Sequence, residues 1–147
     1  MTTIAFDGKT LAADRRATSG RLIFEVTKLF KARGCLVAAS GDFDRINESV
    51  AWFAAGADPA KLPPYARDNN DYVAMVVIEP DGKIMKYERS AVPFRIESPF
   101  VAFGSGRDFA LAAMHLGCDA AEAVRVATVF DSGSGNGVDT LTLESAQ

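Results

Sequence analysis

The sequence predicts an α+β protein of antiparallel sheets covered by helices. Three observations carry this expectation. Short apolar segments flank turn signals at Asp7-Gly8, Arg33-Gly34 and Pro80-Asp81-Gly82, the pattern of hairpins rather than crossovers. Helical periodicity is confined to three stretches. The order of elements is strands, helix, strands, two helices and strand, without the strict alternation of a doubly wound sheet.

In chain order, residues 2–6 and 9–13 pair across Asp7-Gly8. If those two form the loop, Phe6 faces Lys9, Ala5 faces Thr10, Ile4 faces Leu11 and Thr3 faces Ala12. Thr2 then lies opposite Ala13, beside Asp14. Residues 22–30 and 35–39 flank Arg33-Gly34 in the same way. A helix over 43–55 sets Ile46, Val50 and Phe53 on one face. Asp58, Pro59, Pro63 and Pro64 interrupt regular structure until Tyr72. Residues 72–78 and 83–87 form the third hairpin, and further strands fall near Phe94 and over 99–103. Helices follow over 107–116 and 120–130. Gly117 closes the first, and Asp119 with Glu122 resembles a capping box for the second. A glycine-rich turn, 131–137, leads into a last strand over 138–143.

Composition narrows the function. A chain of 147 residues, 48% hydrophobic and 24% charged, suits one domain spanning 1–147. Its 16 basic and 19 acidic residues leave a net charge of −3, so no basic face is forced for nucleic acid or an anionic membrane. The longest aliphatic run, 73–78, is far short of the roughly 20 residues of a bilayer span. The amino terminus meets Asp7 without a basic region before an apolar core, unlike a signal peptide. Cys35 and Cys118 are isolated, which fits free thiols in a reducing cytoplasm and gives no zinc spacing. Neither a metal nor a cofactor is expected. The single histidine, His115, sits at the end of an apolar helix before Gly117, a place for a capping or packed side chain. A general base, if there is one, is not expected to be imidazole.

The first hairpin offers another base. Loss of Met1 before the small Thr2 would put a hydroxyl and a free α-amine on one residue, with Asp14 close by. A threonine hydroxyl needs a base to become a nucleophile. An α-amine, with a reference pKa of about 7.7–8.0, can serve near neutral pH. Equally, Thr2 and Thr3 can simply begin a strand, as threonines often do.

The segments Thr2-Thr3-Ile4-Ala5-Phe6 and Ala12-Ala13-Asp14-Arg15-Arg16-Ala17-Thr18 resemble the start of mature proteasome β subunits and of the peptidase subunit of the bacterial HslUV protease. Both are N-terminal-nucleophile hydrolases. Val26-Thr27-Lys28-Leu29 resembles the family strand that carries the active-site lysine, and Ala39-Ser40-Gly41-Asp42-Phe43-Asp44 the turn into the first helix. Val101-Ala102-Phe103-Gly104-Ser105-Gly106 is similar to the strand entering a Gly-Ser-Gly helix start. Asp131, Ser134 and Gly135 match an Asp-x-x-Ser-Gly turn. The resemblance spans Thr2 to about Leu143. It implies a four-layer αββα sandwich of antiparallel sheets and a threonine peptidase that hydrolyses peptide bonds.

By that resemblance Thr2 is the nucleophile and Lys28, paired with Asp14, eases removal of its proton. The Gly41 amide donates to the oxyanion, while Ser105, Asp131 and Ser134 hold the α-amine and a water. Ala17, Val26, Phe30, Ala39 and Phe43 match positions around an apolar specificity pocket. Plainer readings stand beside these. Lys28 can be a solvated strand lysine, Asp14 a turn residue, Ser105 a helix cap and 131–137 a loop. A phosphate cradle at Gly104-Ser105-Gly106 is disfavoured, because the Walker lysine and the third fingerprint glycine are missing.

The chain departs from the family in a tighter first hairpin and a short, proline-rich stretch in place of a second long helix, so the outer helical layer is shortened. A retained Met1 would block the amine, and activation is expected to rest on its removal. The resemblance further implies a homo-oligomeric ring or barrel, peptide or unfolded-protein substrates and a possible ATPase unfoldase. A catalytically silent, ring-forming subunit of the same fold and a small-amide hydrolase are the alternatives.

Overall fold

The computed structural model describes residues 1–64 and 73–144. The hairpin signals become three antiparallel sheets, which divide between two units, Met1–Leu29 with Ser98–Gln147 and Phe30–Glu97. In chain order the elements begin with β1 (Thr3–Phe6), β2 (Thr10–Asp14), β3 (Arg16–Ser19), β4 (Leu22–Glu25), β5 (Leu29–Ala32), β6 (Cys35–Ser40) and α1 (Phe43–Ala54). A 3-10 turn, Pro59–Lys61, precedes β7 (Ala74–Ile78), β8 (Ile84–Tyr87), β9 (Phe94–Ile96) and β10 (Val101–Gly104). The last elements are α2 (Arg107–His115), α3 (Ala120–Phe130) and β11 (Val138–Thr142). The expected start of the third hairpin at Tyr72 lies outside the described residues.

The first unit carries a four-stranded sheet, in the order β10-β1-β2-β11, and the separate β3–β4 hairpin. α2 and α3 lie on the four-stranded sheet through a layer of small side chains. Ala5, Ala12 and Ala102 of the strands meet Ala110, Ala113, Ala120, Ala123 and Ala127 of the helices, with Met114 and Val124 filling the remainder. Alanine at most of these contacts lets helix and sheet backbones approach closely. Ile4, Phe6, Leu11 and Ala13, alternating with these along β1 and β2, are also buried. The Asp119 carboxylate accepts from the Glu122 amide at 2.8 Å, which caps α3 as its sequence suggests.

The second unit is a five-stranded sheet, β5-β6-β7-β8-β9, carrying α1. Ile46, Trp52 and Phe53 of α1 are buried with Cys35, Val37 and Ala39 of β6 and Met75 and Val77 of β7. Arg33 and Gly34 both take positive φ, 54° and 75°, as a tight primed hairpin turn requires.

Two expectations need correction. The first hairpin pairs Phe6 with Leu11, Ala5 with Ala12 and Ile4 with Ala13, so its turn lies one residue later than Asp7-Gly8. Asp7 is the cause. One of its carboxylate oxygens accepts from the Lys9 and Thr10 amides at 2.9 and 2.8 Å, and the other from Ala120 at the start of α3 at 2.9 Å. Gly8 then supplies the left-handed residue, φ 98°. Each strand keeps its buried face, but Thr3 now stands across from Asp14. The second correction concerns 22–30, which is not one strand. β4 ends at Glu25, Val26 donates its amide to the Arg15 carbonyl at 2.8 Å, and pairing resumes at Leu29. β4 pairs instead with β3 through Gly20, φ 60°, a strand the turn signals did not single out.

Burial alone would raise the Asp7 pKa, but the amides of Thr10, Ala120 and Lys9 outweigh it and hold the value below the ordinary 3.8. A carboxyl whose pKa is lowered by folding stabilises the fold above its unfolded value, and that contribution is lost as pH falls through the folded value. Asp7→Asn is therefore expected to lower stability most above about pH 5. The gap to the parent should narrow below pH 3.8, read from urea unfolding across pH. A gap independent of pH would show that the Asp7 charge is immaterial.

Candidate active site

The site begins where β1 runs into its neighbours. Thr3 pairs with Gly104 across β1 and β10, and the Gly106 amide donates to the Thr2 carbonyl at 3.4 Å. Side chains at 104 and 106 have no room. A Cβ on Gly104, whose φ is 91°, would strike the Thr2 carbonyl, and one on Gly106 the Thr3 hydroxyl. The two glycines thus let Ser105, between them, come against the start of β1. Its Oγ accepts from the Thr2 nitrogen at 3.2 Å. Ser105 does not cap α2; the cap position is Gly106, which has no side-chain bond to offer.

Asp131, at the end of α3, orients this hydroxyl. Its Oδ2 accepts from Ser105 Oγ and from Ser134 Oγ, each at 2.6 Å, and its Oδ1 from the Gly133 amide at 3.2 Å. With its one proton committed to Asp131, Ser134 must accept from Thr3 Oγ1, 2.7 Å away. The hydrogen bonds therefore run inward on Asp131 from both sides, from Thr2 through Ser105 and from Thr3 through Ser134. Burial raises the Asp131 pKa, but the two hydroxyls and the Gly133 amide overcome this and leave it below 3.8.

Lys28 and Asp14 form the other half. Both side chains are fully buried, with Nζ 2.8 Å from Oδ1. Lys28 also donates to the Thr2 hydroxyl and to the Met1 carbonyl, each at 3.2 Å, so its three protons have three acceptors. Asp14 is equally occupied: Oδ1 accepts from Thr3, and Oδ2 from Arg16 and Gly135, all backbone amides at 3.0–3.1 Å. Burial lowers the Lys28 pKa below 10.5, and the bond and charge of Asp14 restore only part of it. The ammonium thus stands between the Asp14 carboxylate and the Thr2 hydroxyl, which accepts from it. Among the described buried side chains, no nitrogen or oxygen lacks a partner.

Six of the expected residues, Thr2, Asp14, Lys28, Ser105, Asp131 and Ser134, are joined by this one set of bonds in the first unit. Ala17 and Val26 lie in the same unit and are half-buried. Gly41, Phe30, Ala39 and Phe43 belong to the second. Gly41 holds a φ of 136°, a glycine conformation, and Ala39 is buried with Phe30 and Phe43 packed on its cluster. His115 is exposed at the end of α2. Two residues of the site carry no signal in the sequence: Thr3, which reads as a strand residue beside Thr2, and Gly133, against which Met1 packs so closely that a Cβ would collide. A cleft of about 210 Å³ in the second unit, lined by Arg33, Cys35, Phe53 and Tyr87 among others, contains none of these residues. Burial pushes its Cys35 thiol above the usual value, as in a packed, unreactive cysteine. No described group of three or more His, Cys, Asp or Glu could hold a metal ion, and no described helix is long and apolar enough to cross a membrane.

No protein-family model and no curated protein matches the chain. Solved structures do. The fold matches a Thiobacillus denitrificans BPH in complex with epoxomicin, with TM-score 0.77, 19% identity and full coverage of both chains. A second structure of Thiobacillus denitrificans BPH matches with TM-score 0.72 and 21% identity over 97% of each chain. HslV from Trypanosoma brucei matches with TM-score 0.66 and 22% identity, over 98% of this chain and 99% of that one. The likeness runs the whole length of the chain and bears out the fold that the sequence resemblance implies.

Lys28→Met leaves Asp14 with backbone donors but no counter-charge. The unfolding free energy should fall by about 3–5 kcal/mol, the usual effect of orphaning one member of a buried pair. Urea titration reads it directly. A loss under about 1 kcal/mol, typical of surface pairs, would mean the pair does not hold the fold.

Proposed function

We propose that this chain is a threonine peptidase whose nucleophile is Thr2 Oγ1 and whose base is the Thr2 α-amine exposed by loss of Met1. The observation that carries this reading is the pair of contacts on one residue: Lys28 Nζ lies 3.2 Å from the Thr2 hydroxyl, and Ser105 Oγ 3.2 Å from the Thr2 nitrogen. With Met1 attached that nitrogen is an amide and has no basic lone pair. Freed, it becomes an amine in the same place, already hydrogen-bonded to a serine that Asp131 orients.

The hydroxyl proton passes to the amine as Oγ1 attacks the carbonyl carbon of a peptide bond. The Lys28 charge stabilises the alkoxide character that develops on Oγ1, and Asp14 keeps that charge in a buried place. Collapse of the tetrahedral species breaks the C–N bond, and the ammonium returns its proton to the leaving amine. Water, deprotonated by the same amine, then hydrolyses the ester on Thr2. The polar groups are all supplied by side chains and backbone, and the scheme uses no cofactor.

The epoxomicin in one of the similar structures supports the same reading for this chain. A homo-oligomeric ring, an unfoldase partner and a cytoplasmic setting belong to the proposal as well. The silent-subunit alternative corresponds to a chain that keeps Met1, with the Met1 carbonyl accepting from Lys28 and the Met1 side chain packed on Gly133.

Intact mass of the purified protein should show Met1 removed, and an epoxyketone should label Thr2. Thr2→Ala should lose peptidase activity by roughly a thousandfold or more. Because Lys28 loses its proton below 10.5, the alkaline fall in kcat should begin below that pH. Met1 retained under all conditions, with no labelling, would leave the silent subunit as the reading. Turnover of small amides without peptide cleavage would establish the small-amide hydrolase.

A further inference from the structure

Arg16 lies outside the proton-transfer set, yet its side chain meets the loop that carries Ser134 at Ser132, Gly135 and Asn136. Its Nε donates to Asn136 Oδ1 at 2.8 Å and its Nη1 to the Ser132 carbonyl at 3.0 Å. The guanidinium lies against Gly135, where a Cβ would stand 2.6 Å from Nη2. At the other end of the residue, its amide donates to Asp14 Oδ2 at 3.1 Å, the same oxygen that accepts from Gly135. The loop needs holding. It passes through Asn136 and Gly137 at φ 63° and 94°, a run of left-handed residues that has little repeating backbone bonding of its own.

We propose that Arg16 is a positioning residue: its planar fork grips the 132–136 loop from outside while Asp14 grips it from within. The grip fixes Ser134 and Asp131 at the distances that turn Ser105 toward the Thr2 nitrogen. The fork geometry is the point. A guanidinium can hold an amide oxygen and a carbonyl two directions apart in one plane, which an ammonium on a flexible stem cannot. Gly135 is the matching half, since any side chain there would lift the guanidinium from the loop. The proposal rests on the peptidase reading for its catalytic consequence but not for the grip itself.

Two readouts separate the two. Hydrogen exchange of the assembled protein, compared between parent, Arg16→Gln and Asn136→Gly, reports the grip alone. Asn136 is exposed with φ 63°, so glycine there removes the acceptor without straining the backbone. The Ser134 and Gly135 amides should lose protection about tenfold or more in Arg16→Gln and less in Asn136→Gly, with β1 and β2 unchanged. Peptide hydrolysis should show kcat reduced about tenfold to a hundredfold with KM little altered, and a shifted acid limb, because the misplaced Ser105 no longer tunes the amine. Arg16→Lys should recover less than half of the lost kcat, and the double variant should lose less than the product of the single effects. Unchanged loop exchange in both variants overturns the grip. Altered exchange with parental kcat and pH profile overturns the positioning role. Altered exchange in a parent that cleaves no peptide and takes no epoxyketone upholds the grip and rejects the peptidase reading instead.

Discussion

The buried ion pair of Lys28 and Asp14 is the constraint on which the rest of the site depends. Removing two charges from water is unfavourable unless their remaining hydrogen-bonding capacity is met. Here the chain meets it from three separate segments: the Thr3, Arg16 and Gly135 amides on the carboxylate, and the Thr2 hydroxyl and Met1 carbonyl on the ammonium. The pair therefore draws the start of β1, the end of β2, the break before β5 and the 131–137 loop to one point. Strand pairing brings β1 and β2 together, while Lys28 reaches Asp14 from the irregular stretch between β4 and β5.

Asp131 does for the nitrogen of Thr2 what Asp14 does for its oxygen. One carboxylate fixes a cation beside the hydroxyl; the other fixes the direction of two serine hydroxyls. Because a hydroxyl has a single proton, committing it to Asp131 leaves Ser105 with only lone pairs to offer. An amine in place of the amide would find an acceptor there, and its own lone pair would stay free for the threonine hydroxyl. Polarity is set by the order of bonds rather than by any one strong group.

Much of this was legible in the sequence. α1 and α3 begin where periodicity and the Asp119 cap place them, and the Gly104-Ser105-Gly106 and Asp131-x-x-Ser134 patterns mark the groups around Thr2. What escaped was set by contacts far apart in the chain. The register of the first hairpin turns on an Asp7 carboxylate shared with Ala120, 113 residues away. The break at Val26 precedes a lysine that pairs with Asp14, a contact no strand propensity records. Ser105 reads as a helix cap until its true partner, 103 residues upstream, comes beside it. Local grammar specifies elements; long-range charge and hydrogen bonding specify where the elements stop.

The alanine layer beneath α2 and α3 has a consequence for drift. Ala5, Ala12, Ala110, Ala120, Ala123 and Ala127 are all completely buried between helices and sheet. Each sits at a size minimum: enlargement would wedge the helices away, and the one smaller residue, glycine, loosens the helix or strand that bears it. The layer thus acts as a fixed spacer, and the height it sets is the height at which Gly106 passes over Thr3. Enlargement at any of these six alanines should therefore cost more than the same change on the exposed faces of α2 and α3, because it would alter the separation between helix start and threonine.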